Sequence, residues 1–152
     1  MASDIQPFQQ QQPSSIRPAT QEDALAIKHI AASLGYPDYD ESLAESRLQA
    51  LLNSSNDQVW ICERDGMVVG WLHAFIALRD AFAEIGGLAV EPAFRRQGVG
   101  RALVQQAKHW AADQQLAVRV RSRIERAEAR RFYRAQGLIP SKQQQVFEQF
   151  GE

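Results

Sequence analysis

A single cysteine, Cys62, stands in this chain of 152 residues, so neither a disulfide framework nor a cysteine zinc site is available. Its histidines, His29, His73 and His109, fall on separate expected elements without ligand spacing, and the pattern points to no metal. Neither sign of charge is in excess. The net charge of −1 argues against nucleic acid and membrane as partners, because a binder of either usually carries a clear basic surplus. No apolar run approaches the roughly 20 residues that span a bilayer, and the N-terminus lacks the charged and apolar regions of a signal peptide. A reducing cytoplasm is the expected home. With 45% hydrophobic residues the chain can bury one good core, which leads us to expect a single domain over 16–152. Residues 1–15, with Gln9 to Gln12 and then Pro13-Ser14-Ser15, are too polar to bury anything and read as a disordered tail.

What the chain does have is concentrated between Glu84 and Arg101. There the sequence reads as an apolar strand, a stop at Pro92, a basic turn and a helix start. A helix N-terminus carries unpaired N–H groups and about half a positive charge, so it holds an anion without a metal. Gly98 and Gly100 let the main chain close around that anion, because no Cβ stands between the amides and the oxygens. Two common phosphate motifs fit poorly. A Walker loop needs Lys-Ser/Thr after its last glycine, where this chain has Arg101-Ala102, and Leu103 occupies the place of the third Rossmann glycine. A basic turn capping an ordinary surface helix is the plainer alternative.

Periodicity supplies the surrounding elements. Ile16 to Thr20 suggests an edge strand leading to a capped helix, with Thr20 as N-cap and Asp23 in the capping-box position. Leu25, Ile27, Ile30, Ala31 and Leu34 give that helix an apolar face, and Gly35-Tyr36-Pro37 ends it. A second helix is expected over 42–52, with Leu43, Leu48, Leu51 and Leu52 inward. Strands at 59–64 and 67–78 flank the Asp65-Gly66 turn, and a third runs over 82–90. A helix over 99–114 then leads to a strand at 117–122, which the crossover should make parallel to its predecessor. A last helix starts at Glu125 or Arg126 and ends at Gly137, and 146–150 reads as a final strand.

The segment Arg95-x-x-Gly98-x-Gly100 resembles the acetyl-CoA-binding motif of the GNAT superfamily of N-acetyltransferases, and Ala129 to Leu138 is similar to the closing helix of that family. The resemblance implies an α/β fold: a mixed, mostly antiparallel sheet with a splayed parallel strand pair and flanking helices. It also implies acetyl-CoA as cosubstrate. Leu88, Ala89 and Val90 would bond the pantetheine arm through their main chain, and Arg95, Arg96, Gln97, Gly98, Val99, Gly100 and Arg101 would hold the pyrophosphate. Arg126 stands where many members of the family place an asparagine against the pantetheine, so that contact is either taken over by arginine or lost.

The implied reaction is attack of an amine on a thioester. By resemblance Glu84 is the candidate general base and Tyr133 the candidate general acid, with the Leu88 amide facing the carbonyl oxygen as it gains charge. The plainer readings are an outward-facing glutamate on an alternating strand and an aromatic core residue beside Phe132. Arg119 and Arg121 make one basic face of their strand, solvated by default and beside the expected cleft. Family architecture places the acceptor wall near the first two helices, here Tyr36, Asp38, Tyr39, Asp40 and Glu41, with Trp71 and His73 lining the same cavity. An acidic, aromatic wall suits a cationic amine. The expected acceptor is a small-molecule primary amine. A protein N-terminus or lysine, and a noncatalytic acetyl-CoA sensor, are the alternatives; a homodimer is left open.

Overall fold

Strand β1 (Ser15–Pro18) opens the chain that the computed structural model describes, residues 14–151. The tail expected over 1–15 lies outside the described residues as far as residue 13, and its last residue, Ser15, already pairs with Glu63. After a short 3₁₀ turn come α1 (Ala24–Ser33) and α2 (Glu41–Asn53), then β2 (Asp57–Arg64), β3 (Met67–Ala77) and β4 (Phe82–Val90). Helix α3 (Val99–Asp113) crosses over to β5 (Ala117–Val120), and α4 (Ala127–Ala135) follows. The sheet has the order β1-β2-β3-β4-β5, antiparallel except for the parallel pair β4 and β5. This is the mixed α/β sheet that the resemblance implies.

The described residues fall into two compact units divided between Arg121 and Ser122, and the whole sheet belongs to the first. Alternation along the strands divides its core in two. On one face Val59, Ile61, Trp71 and Ala89 pack with Ala19, Ala24, Ile30 and Leu48 from the β1–α1 connection, α1 and α2. On the other, Val99, Leu103, Val104, Ala107 and Ala111 of α3 are buried, and Trp110 meets Trp60 edge-on at 5.6 Å. A side chain as completely enclosed as Leu103 contributes about 1.5–3 kcal/mol.

Local chemistry explains the helix ends. Thr20 and Asp23 form the expected capping box, with Thr20 N donating to Asp23 Oδ2 at 2.7 Å. Asp40 caps α2 by accepting from Leu43 N at 2.7 Å. Leu25 and Leu43, both expected inside, are exposed. Each lies off the stripe of its helix: α1 turns Ala24, Ile27, Ile30 and Ala31 inward, and α2 turns Leu48, Leu51 and Leu52. The strand expected at 146–150 does not form, and Phe147 and Phe150 are 85% and 80% exposed. Its apolar residues Val146, Phe147 and Phe150 do not share one face of a strand, and no strand among the described residues pairs with it.

Candidate active site

The turn after β4 is built from main chain. Pro92–Phe94 make one 3₁₀ turn, Arg96 stands at φ 61°, and Gly98 caps α3 at φ 84°. No side chain caps this helix, and its first closing bond runs from Ala102 N to Gly98 O at 3.0 Å. The amides of Val99, Gly100 and Arg101 precede that bond and have no intrahelical acceptor. A Cβ on Gly98 would meet nothing within 4 Å, so the space beside the turn at Gly98 is open. Arg95, Arg96 and Arg101 lie exposed around it. Arg64 holds the turn from β2: it donates to Gln97 O at 3.3 Å and contacts Gln97 Oε1, while Gln97 Nε2 donates to Ala93 O at 3.3 Å. Gln97 therefore offers its backbone, its side chain being engaged. Open amides among guanidinium groups fit a diphosphate.

Beside this turn the β4 edge has no strand partner among the described residues, although Tyr36 Oη donates to Leu88 O at 3.5 Å. Pairing with β5 covers Phe82 to Ile85 only, opposite Ala117 to Val120. At that point the β3–β4 register shifts, since His73 lies opposite Gly87 but Ala74 opposite Ile85, which leaves Gly86 as the extra residue of a bulge. The bulge needs glycines because the β3 rings press on it. A Cβ on Gly87 would lie 2.7 Å from the Trp71 ring, and one on Gly86 would lie 2.9 Å from His73 Nδ1. From Gly86 onward, Leu88, Ala89 and Val90 run along an edge with no strand partner on the β5 side, the kind of edge that an extended, amide-bearing ligand satisfies.

Glu84 is 8% exposed and held at both oxygens: Arg119 Nε donates to Oε1 at 2.9 Å, and Arg121 Nε donates to Oε2 at 3.0 Å. Arg119 also reaches Asp80 at 3.0 Å and lies over the Phe82 ring at 4.6 Å. Burial alone would lower the Arg119 pKa; hydrogen bonds to Glu84 and Asp80 outweigh it and hold the guanidinium above its ordinary value. Solvation, the default for the two arginines, is thus replaced for Arg119 by an ionic lattice. The parallel register that sets Glu84 opposite Arg119 has no local signature in the sequence.

Among the acceptor candidates, Tyr36 and Trp71 come together, their rings 5.9 Å apart. The end of α1 sets this up, with Tyr36 N donating to Ala31 O at 3.1 Å across Gly35. Trp71 is 8% exposed, and its indole N–H is buried without a hydrogen-bond partner among the described residues. Asp38 and Tyr39 are engaged locally, by Lys28 at 3.0 Å and by Arg47 stacked at 3.9 Å. His73 binds Asp57, with Nε2 2.6 Å from Oδ1. Asp57 and its partner Ser54 are the residues that sequence reasoning missed; nothing in the local pattern links β2 to His73.

Arg126 and Tyr133 lie in the second unit. Arg126 is exposed at the start of α4. The helix ends as expected at Gly137, where Leu138 N donates to Tyr133 O at 3.1 Å and Gly137 N to Arg134 O at 2.9 Å. Among the described residues no group of three His, Cys, Asp or Glu side chains is placed to hold a metal ion, and no helix is long and apolar enough to cross a membrane.

Comparison with known proteins gives the family. Residues 24–138 match the model of the acetyltransferase (GNAT) family. The chain is 32% identical over 136 residues to an aminoglycoside N(6')-acetyltransferase type 1 of Stenotrophomonas maltophilia, covering 82% of this chain and 85% of that protein. Among solved structures, AAC(6')-Iy in complex with the bisubstrate analog CoA-S-monomethyl-acetylneamine superposes with a TM-score of 0.80 at 16% identity, over 91% of this chain and 99% of that one. An aminoglycoside acetyltransferase from an uncultured soil metagenomic sample, in complex with sisomicin, gives a TM-score of 0.75 at 20% identity, over 91% and 97%.

Proposed function

The chain belongs to the acetyltransferase (GNAT) family and is an acetyl-CoA-dependent N-acetyltransferase; from that premise we propose that it moves the acetyl group directly to a primary amine of an amino sugar. The observation that carries the acceptor class is the Tyr36–Trp71 pair with its buried, unpartnered indole N–H. An aromatic face suits the apolar side of a sugar ring, and a donor without an acceptor suits its hydroxyl groups. The names of the relatives point the same way, to aminoglycosides. In this reading the turn at Arg95–Arg101 binds the diphosphate and the edge Leu88–Val90 binds the pantetheine, and Arg126 is the residue that family resemblance offers in place of the usual asparagine. Acetyl-CoA supplies the activated thioester.

The chain's own task is the proton. A lysine-like amine of pKa about 10.4 is free of its extra proton in roughly one molecule in 2,500 at pH 7, which opposes attack by about 4.6 kcal/mol. Glu84 is the base that family resemblance offers. Its place on β4, four residues before Leu88, supports the role; because both oxygens accept from guanidinium groups, a proton would reach it through water. Tyr133 is the proposed acid for the departing sulfur, since its phenol keeps its proton at neutral pH. The Leu88 amide faces the carbonyl oxygen. The site is proposed to lie in one transferase domain over 16–152, working in a reducing cytoplasm.

A panel of amines tests this: sisomicin, neamine, an N-terminal peptide and a lysine peptide, each with acetyl-CoA and thiol release as the readout. Turnover should be fastest on the amino sugars. Preference for a peptide would move the chain to protein acetylation, and tight CoA binding with no turnover on any amine would make it a sensor.

A further inference from the structure

Glu84 has both oxygens occupied, whereas a second basic group on the same sheet has a nitrogen to spare. Asp57 Oδ1 lies 2.6 Å from His73 Nε2, and Asp57 Oδ2 accepts from Ser54 Oγ at 2.6 Å, with Asn56 N donating to Ser54 Oγ at 3.2 Å. A carboxylate only accepts, so this contact puts the hydrogen of the neutral ring on Nε2 and leaves the lone pair on Nδ1. The side chains of His73 and Asp57 are 20% and 18% exposed, which shelters the pair from water. Phe75 flanks the ring at 5.7 Å.

The position of Nδ1 is the informative part. It has no hydrogen-bond partner among the described residues, and it lies against Gly86, where an added Cβ would stand 2.9 Å away. Gly86 is the bulge residue at which β4 parts from β5, two residues before Leu88. We infer that His73 is the base that takes the acceptor's proton through Nδ1, with Asp57 and Ser54 as positioning residues, an assignment that rests on the transferase reading and moves the proton from Glu84 to His73. Glu84 then serves as the anion that fixes Arg119 and Arg121.

The step balances. Nδ1 takes one proton from R–NH₃⁺, and the electron pair released on nitrogen forms the new N–C bond at the thioester carbonyl. The C–S bond breaks with its pair on sulfur. The second proton leaves nitrogen and ends on that sulfur, giving an amide and a free thiol, and the imidazolium returns its proton to water.

The test compares wild type with His73→Gln, Asp57→Asn and Glu84→Gln, using sisomicin or the fastest amine of the panel. Glutamine at 73 keeps a donor for Asp57 and removes Nδ1. We expect kcat of His73→Gln to fall about 100-fold or more, in the range of general-base catalysis, with the amine KM and calorimetric CoA affinity within about threefold of wild type. Asp57→Asn should lose about tenfold in kcat with the same unchanged KM. A His73→Gln enzyme with wild-type kcat, or one whose loss lies in KM or in CoA binding, overturns the assignment. A kcat loss confined to Glu84→Gln overturns it too. A wild-type protein inactive on every amine defeats instead the reading on which the assignment rests.

Discussion

The turn after β4 and the face around Trp71 are made of different materials. The turn offers main-chain amides at an open helix start, formed within one short segment and tied to β2 through Arg64. The Trp71 face is made of side chains that the fold brings together from separate parts of the chain: Tyr36, after α1, on Trp71 of β3, and Asp57 of β2 on His73 of β3. In the proposed reading, backbone donors would bind the group common to all coenzyme A thioesters, while assembled side chains would set which amine reacts. Binding of the coenzyme and choice of acceptor should therefore be separable by mutation.

Outside the His73–Asp57 pair, the largest expected effect comes from Tyr133→Phe. Removing the phenol hydroxyl should lower kcat about 10- to 100-fold and leave CoA affinity unchanged by calorimetry; an equal loss in both would end the separation. Gly87→Ala comes next. Its Cβ would lie 2.7 Å from the Trp71 ring, and such overpacking costs typically 1–3 kcal/mol, seen as a lower urea midpoint and weaker amine binding with CoA binding retained. Gly98→Val should do the reverse. A β-branched residue at φ 84° costs about 1–2 kcal/mol and adds methyls over the amides, so CoA binding should weaken about tenfold with little change in amine preference.

The smallest effect concerns the β1 end of the sheet and sharpens the comparison by lying outside both regions. The Asp23 carboxyl is held below its ordinary value, chiefly by hydrogen bonds from Arg17, with desolvation opposing and Thr20 N assisting. Because the folded value is depressed, this stabilisation is present above the unfolded pKa of about 3.9 and is lost as pH falls through the folded value. Urea unfolding at pH 6 and pH 3 should show a smaller deficit for Asp23→Asn at the lower pH, with no change in relative amine preference at neutral pH.

The same contrast explains what was legible beforehand. Gly98, Pro92 and Asp65-Gly66 are local signals with a fixed physical meaning, and they located the turn, the stop of β4 and the β2–β3 hairpin. The Thr20–Asp23 capping box and the end of α4 at Gly137 were readable for the same reason. The Asp57–His73 pair and the Glu84–Arg119–Arg121 lattice depend on which residues a sheet register brings together. A slip of one residue would turn every one of these side chains to the other face, and no window of sequence fixes that. Asp38 and Tyr39 looked like ligand groups because they are acidic and aromatic; Lys28 and Arg47 are the neighbours that only the fold supplies.

A crystal structure with CoA and an unreactive amino sugar tests the central claim most directly. The account predicts diphosphate oxygens on the amides of Gly98 to Arg101, the pantetheine amide groups along Leu88 to Val90, and the amine of the sugar within hydrogen-bond reach of His73 Nδ1. A coenzyme bound elsewhere, or a sugar amine seated away from the Gly86 bulge, would contradict it.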